Sequence, residues 1–173
     1  SQAEHEENAE AVLLTDSADL AHAVRGHIVE DIESGRGRSE IKRKSITSHA
    51  RIILTKNIDE AVEFSNRYAP EHMQMMVADP MPYLPRIRNV GSLFLGYHAP
   101  VAAGDYFSGT NHVLPTGGAA RFSSGLSVET FRRRMTWQRL SEEGLRAAEP
   151  HITVLSDSEG FGDKHGGSVR IRF

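Results

Sequence analysis

The chain has 173 residues, of which 39% are hydrophobic, 25% charged and 7% aromatic, a balance typical of one globular domain with or without a tail. Its 20 basic and 23 acidic residues give a formal net charge of −3, which argues against binding to nucleic acid or to an anionic membrane surface. No apolar run approaches the roughly 18 residues that a membrane-spanning helix needs. The absence of cysteine excludes disulfides and thiolate metal ligands.

The chain begins with the residues SQAEH and has no secretory signal pattern, so we expect a trimmed or partial chain.

The first hundred residues alternate short apolar runs with amphipathic stretches, the pattern of βα units around a mostly parallel sheet. Strands are predicted at residues 12–15, 51–55, 73–77 and 92–96. A helix is predicted between Ser17, a capping residue, and Gly35, and others at residues 58–68 and 81–88. The predicted fold class is therefore α/β, with four strands and three connecting helices.

The composition changes after this region. Residues 104–127 are rich in Gly, Ser, Thr, Asn and Pro, and a loop of this length inside a compact domain is uncommon unless it is functional. Beyond it, the pattern predicts helices at residues 128–140 and 141–148 and an extended strand or arm at 168–173. We interpret residues 1–125 as an α/β domain and residues 126–173 as an appended helical tail.

Two candidate sites lie in the first part of the chain. Gln2 and His5 stand three residues apart, so on a helical turn they share a face and can share a metal ion; the alternative is a frayed polar terminus. Glu71 and His72 place a carboxylate beside an imidazole where a helix stops at a proline, just before a strand. Such a pair suits proton transfer, although adjacent Glu and His are also common on surfaces.

The other two candidates lie further along. Asp105, at the start of the long loop, has a carboxylate that can ligate a hard or borderline ion or form an Asx turn with its own backbone. Glu159 and His165 fall in a polar segment that either wraps a partner subunit or is mobile. The basic runs at residues 42–44 and 132–134 are interpreted as solvated faces, because no aromatic residues are interleaved with them.

Several longer motifs are shared with one known family. They are QAEH (2–5), APEH (69–72), GSLFLG (91–96), GDY (104–106), SGTNHVLPTGG (108–118) and ARFSSGLS (120–127). In these motifs the chain closely resembles the C-terminal half of histidinol dehydrogenase, and the likeness runs nearly from end to end. The NHVLPTGG stretch is long enough to be specific.

The resemblance implies a homodimeric zinc enzyme that oxidises L-histidinol through L-histidinaldehyde to L-histidine, using two NAD in succession. It implies that Glu71 activates the water that adds to the aldehyde, and that His72 takes the hydroxyl proton as hydride leaves. The zinc ligands it implies are Gln2, His5, Asp105 and His165, the last from the partner subunit. The substrate contacts it implies are Gln2, His5, His72, Asp105, Glu159 and His165, with Glu159 and His165 donated across the dimer interface.

The chain departs from the family pattern in two ways. His165 stands one position further from Glu159 than the family usually has it. The N-terminal half, which in the family carries the main NAD-binding domain, is absent, so no cofactor-binding residue is assigned in this chain. We therefore expect an incomplete Rossmann-like domain with a helical dimerisation tail, and the cytoplasmic location typical of biosynthetic enzymes.

Two alternatives remain open at this point. One is a paralogue that oxidises another small alcohol, and the other is a zinc-binding or dimerising module without turnover. Glu159 favours histidinol over neutral or anionic alcohols, because a carboxylate suits a cationic amino alcohol.

Overall fold

The computed structural model describes residues 1–173, which form two compact units, Ser1–Thr130 and Phe131–Phe173. The first unit contains, in order, α1 Gln2–His5, β1 Val12–Thr15, α2 Ala18–Glu33, α3 Ser39–His49, β2 Arg51–Leu54, α4 Ile58–Tyr68, β3 His72–Met75, a 3₁₀ helix Met81–Arg86, β4 Ser92–Leu95 and α5 Val101–Tyr106. Short 3₁₀ turns follow at Ala119–Arg121 and Val128–Phe131. The second unit contains α6 Glu142–Ser158, a π-helical turn Gly162–Gly166 and α7 Gly167–Arg170.

The four strands form two short parallel pairs. β1 pairs with β2, with Val12 opposite Arg51, and β3 pairs with β4, with His72 opposite Ser92. The strands lie where the sequence predicts them to within two residues, and the mixed helix and strand class is confirmed. They do not join into one sheet, however, because the hydrogen-bonded order is β1-β2 and, separately, β3-β4.

Helices α2, α4 and α6 begin at capping residues that satisfy otherwise unpaired backbone N–H groups. The Ser17 hydroxyl accepts from the Leu20 N–H at the start of α2, and the Asn57 amide oxygen accepts from Glu60 at the start of α4. Gly35, just past the end of α2, has a φ of +67°, a conformation that glycine adopts without steric cost. The sequence prediction of α2 between Ser17 and Gly35 is confirmed.

Helix α3 is not predicted from the sequence, and the interpretation of residues 42–44 as a solvated basic face is wrong for Lys42. The Lys42 residue is only 8% exposed, and its Nζ lies 2.6 Å from the Asp31 carboxylate of α2. Lys44 is exposed and pairs with Glu7 at 2.7 Å. The aliphatic part of a lysine side chain can pack on apolar surface while its charged end reaches a partner. A run of basic residues in the sequence therefore does not show which lysine is buried.

The structure differs from the prediction in the last third of the chain. Residues 128–140 contain one 3₁₀ turn instead of a helix, and the side chains of Met135 and Trp137 remain 80% and 83% exposed. Apolar residues at helical spacing stabilise a helix only when they pack against another part of the protein, and those of this segment remain exposed. The strand predicted at 168–173 is replaced by α7 and a turn, because the alternating residues have no neighbouring strand to pair with.

Helix α6 is longer than predicted and continues through Pro150, which removes one backbone hydrogen bond without ending the helix. No helix of the structure has the length and apolar character that crossing a membrane requires.

Buried apolar side chains occur on both faces of the β3–β4 pair. Met75 of β3 and Phe94 of β4 are 5% and 7% exposed, and their offset of one residue in the parallel register places them on opposite faces. Val62 of α4 is 2% exposed, whereas Ile52 and Leu54 of β2 are 37% and 58% exposed. The strand pair that carries His72 at the start of β3 is therefore better covered than β2.

We predict that the Lys42–Asp31 pair couples α2 to α3. The hydrogen bond from Lys42 lowers the pKa of Asp31 below its ordinary value of 3.8, so the contribution of the pair is present above that pH and lost as the pH falls through the folded-state pKa. Asp31→Ala should lower the thermal midpoint, because it leaves Lys42 buried without its carboxylate. Adding Lys42→Met should recover the loss.

The matched control is Lys44→Met, which removes an exposed ion pair and should change the midpoint little. An Asp31→Ala midpoint equal to that of Lys44→Met would contradict the assignment.

Candidate functional site

The turn between α4 and β3 places Glu71 and His72. Helix α4 ends at Tyr68, and Ala69 follows in the left-handed conformation with a φ of 57°, the one non-glycine residue of the structure with positive φ. An alanine held there costs about 1–2 kcal/mol. Ala69 is 1% exposed and its N–H donates to the Ser65 carbonyl at 2.7 Å, so burial and this bond hold the strained turn.

The His72 imidazole contacts two side chains and leaves one ring nitrogen unpaired. Its Nδ1 lies 3.8 Å from the Glu71 carboxylate, and the two side chains are 17% and 31% exposed. Its ring stacks with the Phe94 ring at 6.2 Å between centroids and 24° between planes. Its Nε2 is buried and has no hydrogen-bond partner. Because buried polar atoms are nearly always paired, this nitrogen is the strongest local indication of a ligand site.

The β3–β4 register explains this arrangement. His72 is opposite Ser92 and Gln74 is opposite Phe94, so His72 and Phe94 are diagonal neighbours on one face of the pair. Ligands of open parallel sheets typically bind at the carboxyl ends of the strands. His72 instead opens β3, at its amino end.

Gly91 allows the long loop to approach this turn. Its N–H donates to the Pro70 carbonyl at 3.0 Å, and the next residue donates to the Glu71 carbonyl at 2.8 Å. A Cβ on Gly91 would lie 2.5 Å from the Glu71 carbonyl oxygen and 3.2 Å from Pro115 Cδ. A side chain at this position would therefore displace the backbone of the Glu71 residue.

Asp105 is half-buried in α5 and does not lie in an irregular loop. The preceding Gly104 packs against Phe94, since a Cβ there would lie 2.5 Å from a carbon of the Phe94 ring. The Thr110 hydroxyl donates to the Gly104 carbonyl at 3.0 Å. Phe94 thus contacts both the His72 ring and the backbone that leads into Asp105. Two of the four candidate sites, the Glu71–His72 pair and Asp105, therefore lie in one region of the structure.

The remainder of the long loop is ordered by side chain to backbone bonds. Asn111 donates to the Leu126 carbonyl at 2.7 Å, while its oxygen accepts from the Val113 N–H at 2.8 Å. The Arg121 guanidinium donates to the Arg67 carbonyl near the end of α4. These contacts fasten the glycine-rich segment to the helix end that precedes Glu71.

Gln2 and His5 are the first and last residues of α1, one turn apart. Both are exposed, while Ala3 between them is 7% exposed and faces the protein. Residues 2–5 thus form the helical turn on which the spacing of Gln2 and His5 predicts a shared face.

Glu159 and His165 lie in the second unit, and both are exposed. Glu159 follows the last residue of α6, and His165 lies in the π-helical turn with its ring 5.0 Å from that of Phe161. A π turn accommodates one more residue than an α turn. It is the local geometry expected of the extra residue between Glu159 and His165.

The fit of these residues to a metal was tested from the donor groups. No group of three or more His, Cys, Asp or Glu side chains that could hold a metal occurs in the structure. By donor type, Gln2 and His5 offer the oxygen and nitrogen ligands that zinc accepts, and their shared face suits one ion. The single chain does not assemble a complete metal centre from the predicted set.

Sequence reasoning missed Phe94 and Tyr68. Phe94 was visible as part of an apolar strand, but which strand pairs with β3 is decided by the tertiary fold. Tyr68 donates its hydroxyl proton to the Glu10 carboxylate, and burial together with this bond raises the pKa of Tyr68 to about 12. No local pattern links two residues so far apart in the chain.

Comparison with known proteins agrees with this architecture. The family model described as histidinol dehydrogenase matches residues 1–173. The chain is 46% identical to the histidinol dehydrogenase of Leptospira interrogans over 172 residues, 99% of this chain and 40% of that protein. It is 50% identical to the histidinol dehydrogenase of Methanothermobacter thermautotrophicus over 171 residues, again 99% and 40%. The chain thus spans about 40% of the length of these relatives.

The solved structure of histidinol dehydrogenase from Elizabethkingia anophelis superposes with a TM-score of 0.87 at 32% identity, covering 98% of this chain and 39% of that one. Fold and site together define an α/β protein with a half-buried carboxylate–imidazole pair beside an ordered glycine-rich loop. The chain belongs to the histidinol dehydrogenase family.

We predict that Gly91→Ala destabilises the protein by about 1–3 kcal/mol, because the new methyl group collides with backbone. Gly26→Ala is the control: a Cβ at this position in α2 meets nothing within 4 Å, and alanine should stabilise the helix by about 0.5–1 kcal/mol. Urea unfolding of both variants measures the two changes. Equal effects of the two substitutions would contradict the close approach at Gly91.

We predict that one of the four tyrosines titrates late, near pH 12, in an ultraviolet absorbance titration. The folded-state pKa of Tyr68 is raised above its ordinary value of 10, so its contribution to stability is complete below pH 10 and is lost as the pH rises towards 12. Tyr68→Phe should remove the late component. Its persistence in that variant would assign it to another tyrosine.

Proposed function

We propose that this chain is part of a histidinol dehydrogenase and that it supplies the proton-transfer pair for the NAD-linked oxidation of L-histidinol to L-histidine through L-histidinaldehyde. The observation that carries the proposal is the buried, unpartnered Nε2 of His72, in a member of this family. The oxidation of an alcohol needs a base close to the hydroxyl proton, and a neutral imidazole nitrogen is a suitable one near neutral pH.

In this proposal the Nε2 of His72 accepts the hydroxyl proton as hydride leaves the carbinol carbon. The Glu71 carboxylate lies 3.8 Å from Nδ1, on the side of the ring opposite the accepting nitrogen. Stacking on Phe94 fixes the plane of the ring, so the proton is taken along one direction. In the second oxidation Glu71 takes a proton from the water that adds to the aldehyde carbon, and hydride then leaves the hydrate to give the carboxylate.

NAD supplies the hydride acceptor of both oxidations and is assigned no residue of this chain. The proposed zinc, held by Gln2, His5, Asp105 and His165 of the partner subunit, supplies a fixed electropositive anchor for the substrate. The same residues, with His72 and Glu159, are the proposed substrate contacts. The Glu159 carboxylate suits the ammonium group of histidinol.

A homodimer belongs to the same proposal, with Glu159 and His165 reaching the site of the other chain. Its support is the exposed apolar surface of the second unit, where Val154, Leu155 and Ile171 are 69%, 66% and 80% exposed. Apolar side chains exposed together on a small unit are typical of interaction surfaces. We further propose that residues 126–173 act as the dimerisation tail of the domain formed by residues 1–125, and that the enzyme is cytoplasmic.

A second candidate function is a zinc-binding and dimerising module that has no turnover of its own, supported by Gln2 and His5 on one helical turn and by the exposed apolar side chains of the second unit. Both functions require the same metal ligands, and only the enzyme requires His72 as a base.

The test measures zinc by elemental analysis and oligomeric state on a sizing column, with and without L-histidinol. We expect one zinc per chain in a dimer, lost in His5→Ala and Asp105→Ala but retained in His72→Gln and in the exposed control His22→Ala. A metal-free monomer that is indifferent to histidinol would mean that this chain does not assemble the proposed zinc site.

A second measurement separates the enzyme from the module. In a preparation that reduces NAD with L-histidinol, His72→Gln should lower the rate about 10²–10⁴-fold, the usual contribution of a general base. Full activity of that variant would remove His72 from the mechanism.

A further inference from the structure

We infer that Arg38 is a positioning residue for His5, holding helix α1 in place through its backbone. The inference rests on the proposed function insofar as His5 is a zinc ligand. The contacts that carry it are independent of any metal.

Helix α1 cannot hold its own shape. It has four residues, while isolated helices shorter than about 12–15 residues are marginal in water. Its N-cap Ser1 makes no side-chain capping bond, and its last carbonyl groups have no partner within the helix. Contacts from outside must therefore keep Gln2 and His5 on one face.

Arg38, which immediately precedes α3, supplies two of these contacts. Its guanidinium donates to the His5 carbonyl at 2.9 Å, and its backbone N–H donates to the Glu4 carboxylate at 2.8 Å. A cation at the C-terminal carbonyl groups of a helix satisfies them and opposes the negative end of the helix dipole. Arg38 thus contacts His5 on the main chain and leaves the imidazole exposed.

Gly37 makes room for this arrangement. Its φ is +62°, and a Cβ there would lie 2.3 Å from the Glu4 carboxylate oxygen. Gly35 has nearly the same conformation, with a φ of +67°, but a Cβ there would meet nothing within 4 Å. The two glycines share the backbone constraint and differ in the contact with Glu4.

Three further contacts continue the attachment along the segment that follows α1. Lys44 pairs with Glu7 at 2.7 Å, the buried Ser45 hydroxyl donates to the Ala9 carbonyl at 2.7 Å, and Tyr68 donates to Glu10. Residues 4–10 are therefore held at five positions, four of them by the segment 38–45. Arg38 is the nearest of these attachments to His5.

The attachment of α1 preorganises Gln2 and His5 for binding a metal ion. Two ligands held on one turn lose less conformational entropy on binding an ion than two ligands on a frayed terminus. Residues that orient metal ligands from outside typically change metal affinity 10–100-fold when they are replaced. We expect Arg38→Ala to weaken zinc binding by about this factor.

The test compares Arg38→Ala and Arg38→Lys with Arg36→Ala in the full chain. Arg36 has an exposed guanidinium that bonds Ser34 and approaches Asp31, without contact to α1, and is the matched control. Zinc affinity is measured by competition with a chromophoric chelator, and the geometry by the visible absorption of the Co²⁺-substituted protein. Hydrogen exchange of residues 2–6 is followed in the metal-free protein.

We expect Arg38→Ala to weaken zinc binding, to alter the Co²⁺ spectrum and to speed exchange of residues 2–6. Arg38→Lys should partly restore all three, because it keeps a cationic donor for the His5 carbonyl, while the backbone N–H to Glu4 is present in both variants. Arg36→Ala should leave all three unchanged. Wild-type zinc affinity and exchange in Arg38→Ala would overturn the inference.

A second pair of variants tests the geometry without removing charge. Gly37→Ala should speed exchange of residues 2–6 because it displaces Glu4, whereas Gly35→Ala should not. If the wild-type chain binds no zinc, it does not assemble the proposed zinc site, and the exchange measurements still decide the positioning role. Unchanged exchange in both Arg38→Ala and Gly37→Ala would refute that role.

Discussion

The pairing of β3 with β4 is the constraint on which the candidate site depends. It places His72 and Phe94 on one face and so gives the imidazole a stacking partner. It also brings Gly91 against the Glu71 carbonyl and leaves Gly104 packed on the Phe94 ring. A shift of one residue in this register would turn His72 and Phe94 to opposite faces. The hydrogen bonds between β3 and β4 therefore fix the position of His72 and its neighbours more than the turn at residues 69–72 does.

Much of the first unit is built from elements too short to be stable alone. Its strands have four residues each and occur in pairs, and α1 has four residues. Contacts with other parts of the chain hold these elements in place. The Lys42–Asp31 pair joins α3 to α2, and the Tyr68–Glu10 bond joins α4 to the segment that follows α1. The Tyr68–Glu10 bond also connects the two ends of the proposed site, since Tyr68 precedes the Glu71 turn and Glu10 follows α1.

The electrostatic environment of Glu71 and His72 differs from that of the exposed charges. Their side chains are less than one-third exposed, so the interaction between them is screened less than a surface pair would be. By contrast, Glu159 and His165 are fully on the surface of the second unit. The difference in exposure suits the proposed dimer. In that proposal one chain supplies the proton-transfer pair, and Glu159 and His165 make their contacts only when a second chain is present.

The sequence by itself determined the α/β class, the four strands to within two residues, helices α2 and α4 and the family, because apolar periodicity, capping residues and long motifs are local features of the chain. The candidate residues Glu71 and His72 were visible for the same reason. The tertiary structure decided the division of the strands into two pairs, the burial of Lys42, the stacking of His72 on Phe94 and the attachment of α1 by Arg38. Each of these joins residues far apart in the chain, and contacts of that kind depend on packing that no local pattern records.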